Sequence, residues 1–336
     1  MKNLVLTLSL VSGLCMTANC KKEDSGKISA SGELNSSEKG LLAHLPGDGQ
    51  VVFGGTYGKF MDYWKNSPLK GLASDLMKMT GQNTDMSDYM NCWMEEGGDK
   101  MRIAGTLNMQ GQGVEMNMVF GGLKKDLFIK CAGKGGMASK VDEDGKYLEL
   151  QNVPNGMGGT YNIGYYFIDE ETTLFAMTMS MSGSAPKTAN RAELEAALKA
   201  AEKGSAASNS NLATLAKTAD RSKSFWFAGS AKGTPLADKI KGGTAWIDAD
   251  STSLSMGFSI QVTDSKMPKQ AVDGFNEAKG KMDTMVPPGF KKPLEAFLKD
   301  VHLNADGDTL NGRFKLTNEV LDEVIPQAKG MLKMLF

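Results

Sequence analysis

The chain has 336 residues, 41% of them hydrophobic and 23% charged, which is enough apolar content for a sizeable core in one large or two modest domains. Its 38 Lys and Arg against 39 Asp and Glu leave a formal charge of −1, without the basic excess that nucleic-acid binding requires. With only two histidines, His44 and His302, a zinc site built from His and Cys is nearly excluded by count.

Residues Met1–Ala18 read as an export signal. Lys2 supplies the positive start, Leu4–Val11 an apolar run, and small residues follow. The run is too short to cross a membrane, which takes about 20 residues, and Lys21 and Lys22 close it off. No later stretch approaches that length. Two cysteines stand at the junction. Bulky Leu14 precedes Cys15, whereas Ala18-Asn19 precedes Cys20, and a bacterial lipobox wants small residues before its cysteine. The polar, Ser/Gly-rich run Lys21–Gly40 has almost nothing to bury and reads as a tether. Cys20 is therefore the expected lipid-attachment residue and the first residue of the mature chain, anchoring the protein to a membrane. The plainer alternative is a secretory signal cut near Ala18 or Asn19. Lys21 after the cysteine, in place of aspartate, resembles the outer-membrane pattern.

The body then divides, by pattern, into unit one (41–203), a linker (204–221) and unit two (222–336). Unit one opens with a strand, "QVVFGGTY", and an amphipathic helical region broken at Pro68. A hairpin follows over Met101–Phe120, turning at Gln110–Gly113, then a helix near Lys124–Gly133. Two further strand regions, "KYLELQN" and "TYNIGYYFIDEETTLFAMTMSMS", lead to a helix capped by Thr188 or Asn190. Unit two repeats the order. "SKSFWFAGS" is its strand, Thr234-Pro235-Leu236 matches Ser67-Pro68-Leu69 as a helix start, and Gly243–Val262 is its hairpin. A helix over Lys266–Met285, a hairpin turning at Asp306-Gly307 and a C-terminal helix complete it. The expectation is an α+β fold: two tandem related units of largely antiparallel sheet with packed helices.

Leu45-Pro46 with Asp48 before the first strand, the "SPL" at Ser67–Leu69, Cys92 after the first helical region and "GGLKKDLFIKC" ending at Cys131 accompany the export leader. In this the chain resembles uncharacterised exported bacterial lipoproteins with a duplicated α+β body. The resemblance covers most of residues 41–336 and implies a fold and a location, but no chemistry.

Chemistry is sparse. In an oxidising compartment Cys92 and Cys131 are most simply a disulfide closing about 40 residues. Methionine is abundant at 23 residues. "DMSDYMNCWM" gathers Met86, Met90, Cys92 and Met94, and "FAMTMSMSG" sets Met177, Met179 and Met181 on one face of a strand. Such thioethers suit Cu(I); the plainer reading is that methionine fills a half-buried sheet face. "GGTYGKF" is one residue short of a P-loop, and "VDEDGK" and "NADGDT" read as turns rather than calcium loops. Neither a G-x-S-x-G elbow nor an H-E-x-x-H pair occurs. The resulting expectation is a cell-envelope protein that binds or builds rather than catalyses, without catalytic residues, cofactor, metal or nucleic-acid partner. Its rivals are a carrier of a small apolar ligand or Cu(I) held between the units, and a hydrolase with carboxylates the sequence does not single out.

Overall fold

The valine-rich run after Asp48 forms β1 (Val51–Thr56), and it sits in the interior of the sheet. The computed structural model describes residues 32–70, 92, 97, 100–110, 113–134, 138–154, 160–180, 186–234, 236–281 and 288–335. On one side β1 pairs with β2 (Arg102–Gln110), and the sheet continues through β3 (Gly113–Gly121), β7 (Thr172–Ser180), β6 (Thr160–Phe167) and β5 (Tyr147–Pro154) to β4 (Ala138–Val141). Short β8 (Lys187–Thr188) lies beside β7. On its other side β1 pairs with β9 (Phe225–Ser230), followed by β10 (Ile240–Asp250), β11 (Ser253–Val262), β13 (Thr309–Thr317) and β12 (His302–Asp306). All pairings are antiparallel. Strands from the two halves of the sequence thus form one continuous sheet, joined where Phe53 stands opposite Phe227.

Period-two alternation assigns each strand two faces. On the back face Val52, Ala104, Val119, Leu174, Trp226 and Ala228 are buried. They lie beneath α1 (Ser36–Leu42), α4 (Arg191–Lys203) and α5 (Ser210–Thr218). The front face carries Phe53, Ile103, Phe120 and Phe175 under α3 (Lys125–Lys134), whose Phe128, Cys131 and Ala132 are buried against them. Toward the β12 edge the front face is met by α2 (Gly58–Asn66), α6 (Met267–Gly280), α7 (Pro288–Lys299) and α8 (Asn318–Leu335), through Tyr63, Phe275, Leu298 and Leu321. The local causes are ordinary. Asn190 Oδ1 accepts from the Glu193 N–H at 3.1 Å while the Glu193 carboxylate accepts from the Asn190 N–H at 2.8 Å, a reciprocal cap that starts α4. Gly307, at φ 59°, makes the β12–β13 turn.

Four expectations change. The segment expected as tether through Gly40 is folded from Leu34 onward: Leu34 and Leu42 are buried and Asn35 caps α1 with Glu38. The expected linker 204–221 is packed, with Ala206, Leu212 and Ala216 buried in the back-face cluster. Of the expected helix start Thr234-Pro235-Leu236, Pro235 lies outside the described residues, and from Leu236 the chain makes a single turn rather than a helix, closed by the Ile240 N–H to the Leu236 carbonyl at 2.8 Å. β10 begins at Ile240, too soon for a helix to offset its nucleation cost. The α7 helix over Pro288–Lys299 falls where no element was expected; it opens on Pro288, a position at which proline is compatible with a helix. No described helix is long and apolar enough to cross a membrane.

Candidate functional site

Where β1 meets β9, β10 and β11, the front face is short of side chains. Val51, Gly229, Gly243 and Ile260 stand opposite one another across the four strands, so two adjacent glycines leave a trough between a valine and an isoleucine. The next row is Phe53, Phe227, Ala245 and Phe258, with small Ala245 between two aromatic rings. The turn before β10 raises Leu236 and Ile240 at the rim, and Leu236 is 49% exposed. The result is an open groove of about 280 Å³, to which Met109 of β2 also contributes. Among the described residues, Ser230, Thr234 and Thr244 are its polar side chains and no ionisable residue lines it. It is able to shield an uncharged apolar group from water, and its size matches the small end of ligand pockets.

On the back face, the same glycines floor a polar hollow of about 560 Å³ bordered by Lys241, Gln261, Asp306 and Asn311. Lys241 and Gln261 both reach Asp308, at 2.7 and 3.1 Å, and the Lys241 ammonium holds that carboxyl below its ordinary range. This is a solvated ion-paired surface.

The remaining sequence candidates scatter. Cys92 and Cys131 are joined, with their Cα atoms 5.5 Å apart and both residues buried in the front-face cluster. Cys15 and Cys20 lie outside the described residues, as do Met86, Met90, Met94 and Met181. Met177 and Met179 lie on the front face of β7, half-buried. His302 belongs to the edge strand β12 and His44 follows α1, far apart in the topology. No group of His, Cys, Asp and Glu able to hold a metal ion occurs among the described residues.

The carboxylates are engaged in structure. Arg191 donates to Asp142 at 2.9 Å, to Asp144 at 2.6 Å and to Glu195 at 2.9 Å, tying the β4–β5 turn to α4. That guanidinium, with the Lys146 N–H, brings the Asp144 carboxyl down to about 2. Asp250 is also brought to about 2, by the Ser253 hydroxyl first and then by Thr252, across the β10–β11 turn. Asp169 accepts from the Glu171 N–H within a turn. Every described carboxylate with a resolved shift is lowered, so each stays ionised. A general acid at neutral pH needs the opposite.

With the geometry in view, comparison with other proteins adds little. No protein-family model matches the chain, and no curated protein does. Among solved structures, TP0453 in crystal form III is similar with a TM-score of 0.42 at 11% identity, covering 85% of this chain and 97% of that one. Crystal form I of the same protein gives 0.39 at 10% identity, covering 86% and 96%. No residue assignment follows from these values.

The groove was missed at the level of sequence because its defining residues are blanks. Gly229 and Gly243 lie within the strand patterns of unit two. Glycines inside a strand pattern are the signal that marks a close approach or a depression, and these two meet only through strand pairing.

Proposed function

We propose that this is an exported, lipid-anchored cell-envelope protein of two duplicated α+β units, which holds a small uncharged apolar ligand in the groove between them and carries out no catalysis. The observation that carries the ligand reading is the groove at the β1–β9 junction, lined mostly by apolar residues and, among the described residues, by no ionisable side chain. Between the binding and building roles open to an envelope protein, an exposed trough rimmed by Leu236 favours binding, because leaving such surface in water is costly unless something covers it. The duplication rests on strand order. From the junction outward, β1-β2-β3-β7-β6 is matched by β9-β10-β11-β13-β12, each with its last hairpin inserted the same way. The anchor rests on Cys20 and its flanks.

Two experiments test the reading. A neutral apolar fluorophore such as N-phenylnaphthylamine is expected to bind one per chain, and Ala245→Trp, which places an indole between Phe227 and Phe258, to weaken it about tenfold, or about 1.4 kcal/mol. Equal binding by Ala245→Trp and the parent chain moves the ligand site elsewhere. For the anchor, radioactive palmitate should label the wild type and Cys15→Ser but leave Cys20→Ser unlabelled. Label lost from Cys15→Ser and kept by Cys20→Ser would transfer the anchor to Cys15, and absence of label in all three would remove it.

A further inference from the structure

Three adjacent strands bring together methionines that are far apart in the sequence. On β3 and β7, Met116 stands directly opposite Met177. Val114 faces Met179 in the next row, and Met118 faces Phe175 in the row beyond. On the other side of β3, Leu107 of β2 faces Met116 and Met109 faces Val114. Directly opposite residues on one face have Cβ atoms about 5 Å apart, and diagonal neighbours about 7 Å, within reach of a side chain with three rotatable bonds. Met116 therefore has Met177 opposite, Met109 and Met179 on its diagonals, and Met118 two residues along its own strand. All five are half-buried, neither sealed in the core nor free in solvent.

The chemistry of this patch is one-sided. Alternation sends Glu115 and Asn117 to the back face, so β3 offers no oxygen ligand beside the thioethers. Cys92 is committed to Cys131, so no thiolate from that pair enters. A set of neutral thioethers without hard donors discriminates against Mg²⁺, Ca²⁺ and Zn²⁺ and in favour of soft monovalent ions.

We propose that the front face of β2–β3–β7 is a binding site for Cu(I), with Met116 and Met177 as its central donors and Met118 and Met179 completing the set. The site is distinct from the apolar groove, sharing only the neighbourhood of Met109, and it does not depend on the groove reading. Packing alone would equally put methionine on this face, by shape and by thioether contacts with rings such as Phe175 opposite Met118. Leucine, nearly isosteric with methionine, separates the two roles.

The test uses the full chain with Cys15→Ser and Cys20→Ser, so that thioethers are its soft ligands. Ag(I), the redox-inert analogue, is titrated by calorimetry, and Cu(I) by competition with bicinchoninate. One tightly bound ion per chain is expected, weakened at least tenfold in the Met116→Leu, Met177→Leu double variant. Binding should be unchanged in Met267→Leu and in Ala245→Trp. In chain carrying ¹³C-methyl methionine, the Met116 and Met177 methyl resonances should move first as Ag(I) is added, a readout that needs no variant to fold. A parent chain that takes up no Ag(I) at micromolar concentration overturns the proposal. So does a double variant that binds as tightly as the parent, or a first methyl shift elsewhere.

Discussion

Replacing Cys92 and Cys131 together by alanine is expected to lower the unfolding free energy by about 3–4 kcal/mol, a third or more of the stability of a typical domain. The bond closes a loop with a sequence separation of 39, and without it the unfolded chain regains the freedom that closure removes. The loss has a definite place in the fold. Cys131 belongs to α3, the helix that seals the front-face cluster with Phe128, and Cys92 is buried in that same cluster. Urea unfolding of the oxidised chain, the reduced chain and the double variant measures it. Reduced chain and double variant should agree with each other, and a loss under about 1 kcal/mol would show that the packing around Phe128 suffices alone. A raised m-value in the variant, from a more expanded unfolded state, is expected alongside.

The second large effect is expected at Arg221. Its side chain is 5% exposed and donates to the carboxylate of Glu38, to the Gly32 carbonyl at 2.5 Å and to the Glu33 carbonyl at 2.6 Å. One guanidinium therefore binds residues 32–38 to the segment between α5 and β9. Arg221→Ala leaves a shielded carboxylate and two carbonyls without that donor, a loss of about 3 kcal/mol on the scale of broken buried ion pairs. Arg221→Lys restores little, since an ammonium cannot span the fork of acceptors. By contrast Lys217–Glu33, at 2.6 Å but open to solvent, contributes little. Limited proteolysis within residues 32–43, followed by N-terminal sequencing, reads the release directly. If Arg221→Ala is cleaved there no faster than the parent, burial of Leu34 and Leu42 holds the segment instead.

Much of the fold was legible where the cause is local. The reciprocal cap of Asn190 and Glu193 announces α4, Gly307 announces the last hairpin, and alternation in Met101–Phe120 announces β2 and β3. Reading failed where a local signal was outweighed by what lies next to it. Thr234-Pro235-Leu236 carries a helix-start pattern, but from Leu236 the chain makes a turn leading into β10. The Ser/Gly-rich run before Leu41 looks like tether throughout, yet one buried leucine, an asparagine cap and a distant arginine fold its last part.

Taken alone, the sequence determined most of the strands and helices, because composition, periodicity and capping act over a few residues. Only the tertiary structure decided that both halves share one sheet, that Gly229 and Gly243 meet to make a groove, and that Met116 faces Met177. Those are consequences of register between strands, with the paired residues more than a hundred positions apart in the first case, about fourteen in the second and about sixty in the last. Register is set by burial of whole faces at once, so no short stretch of chain contains it.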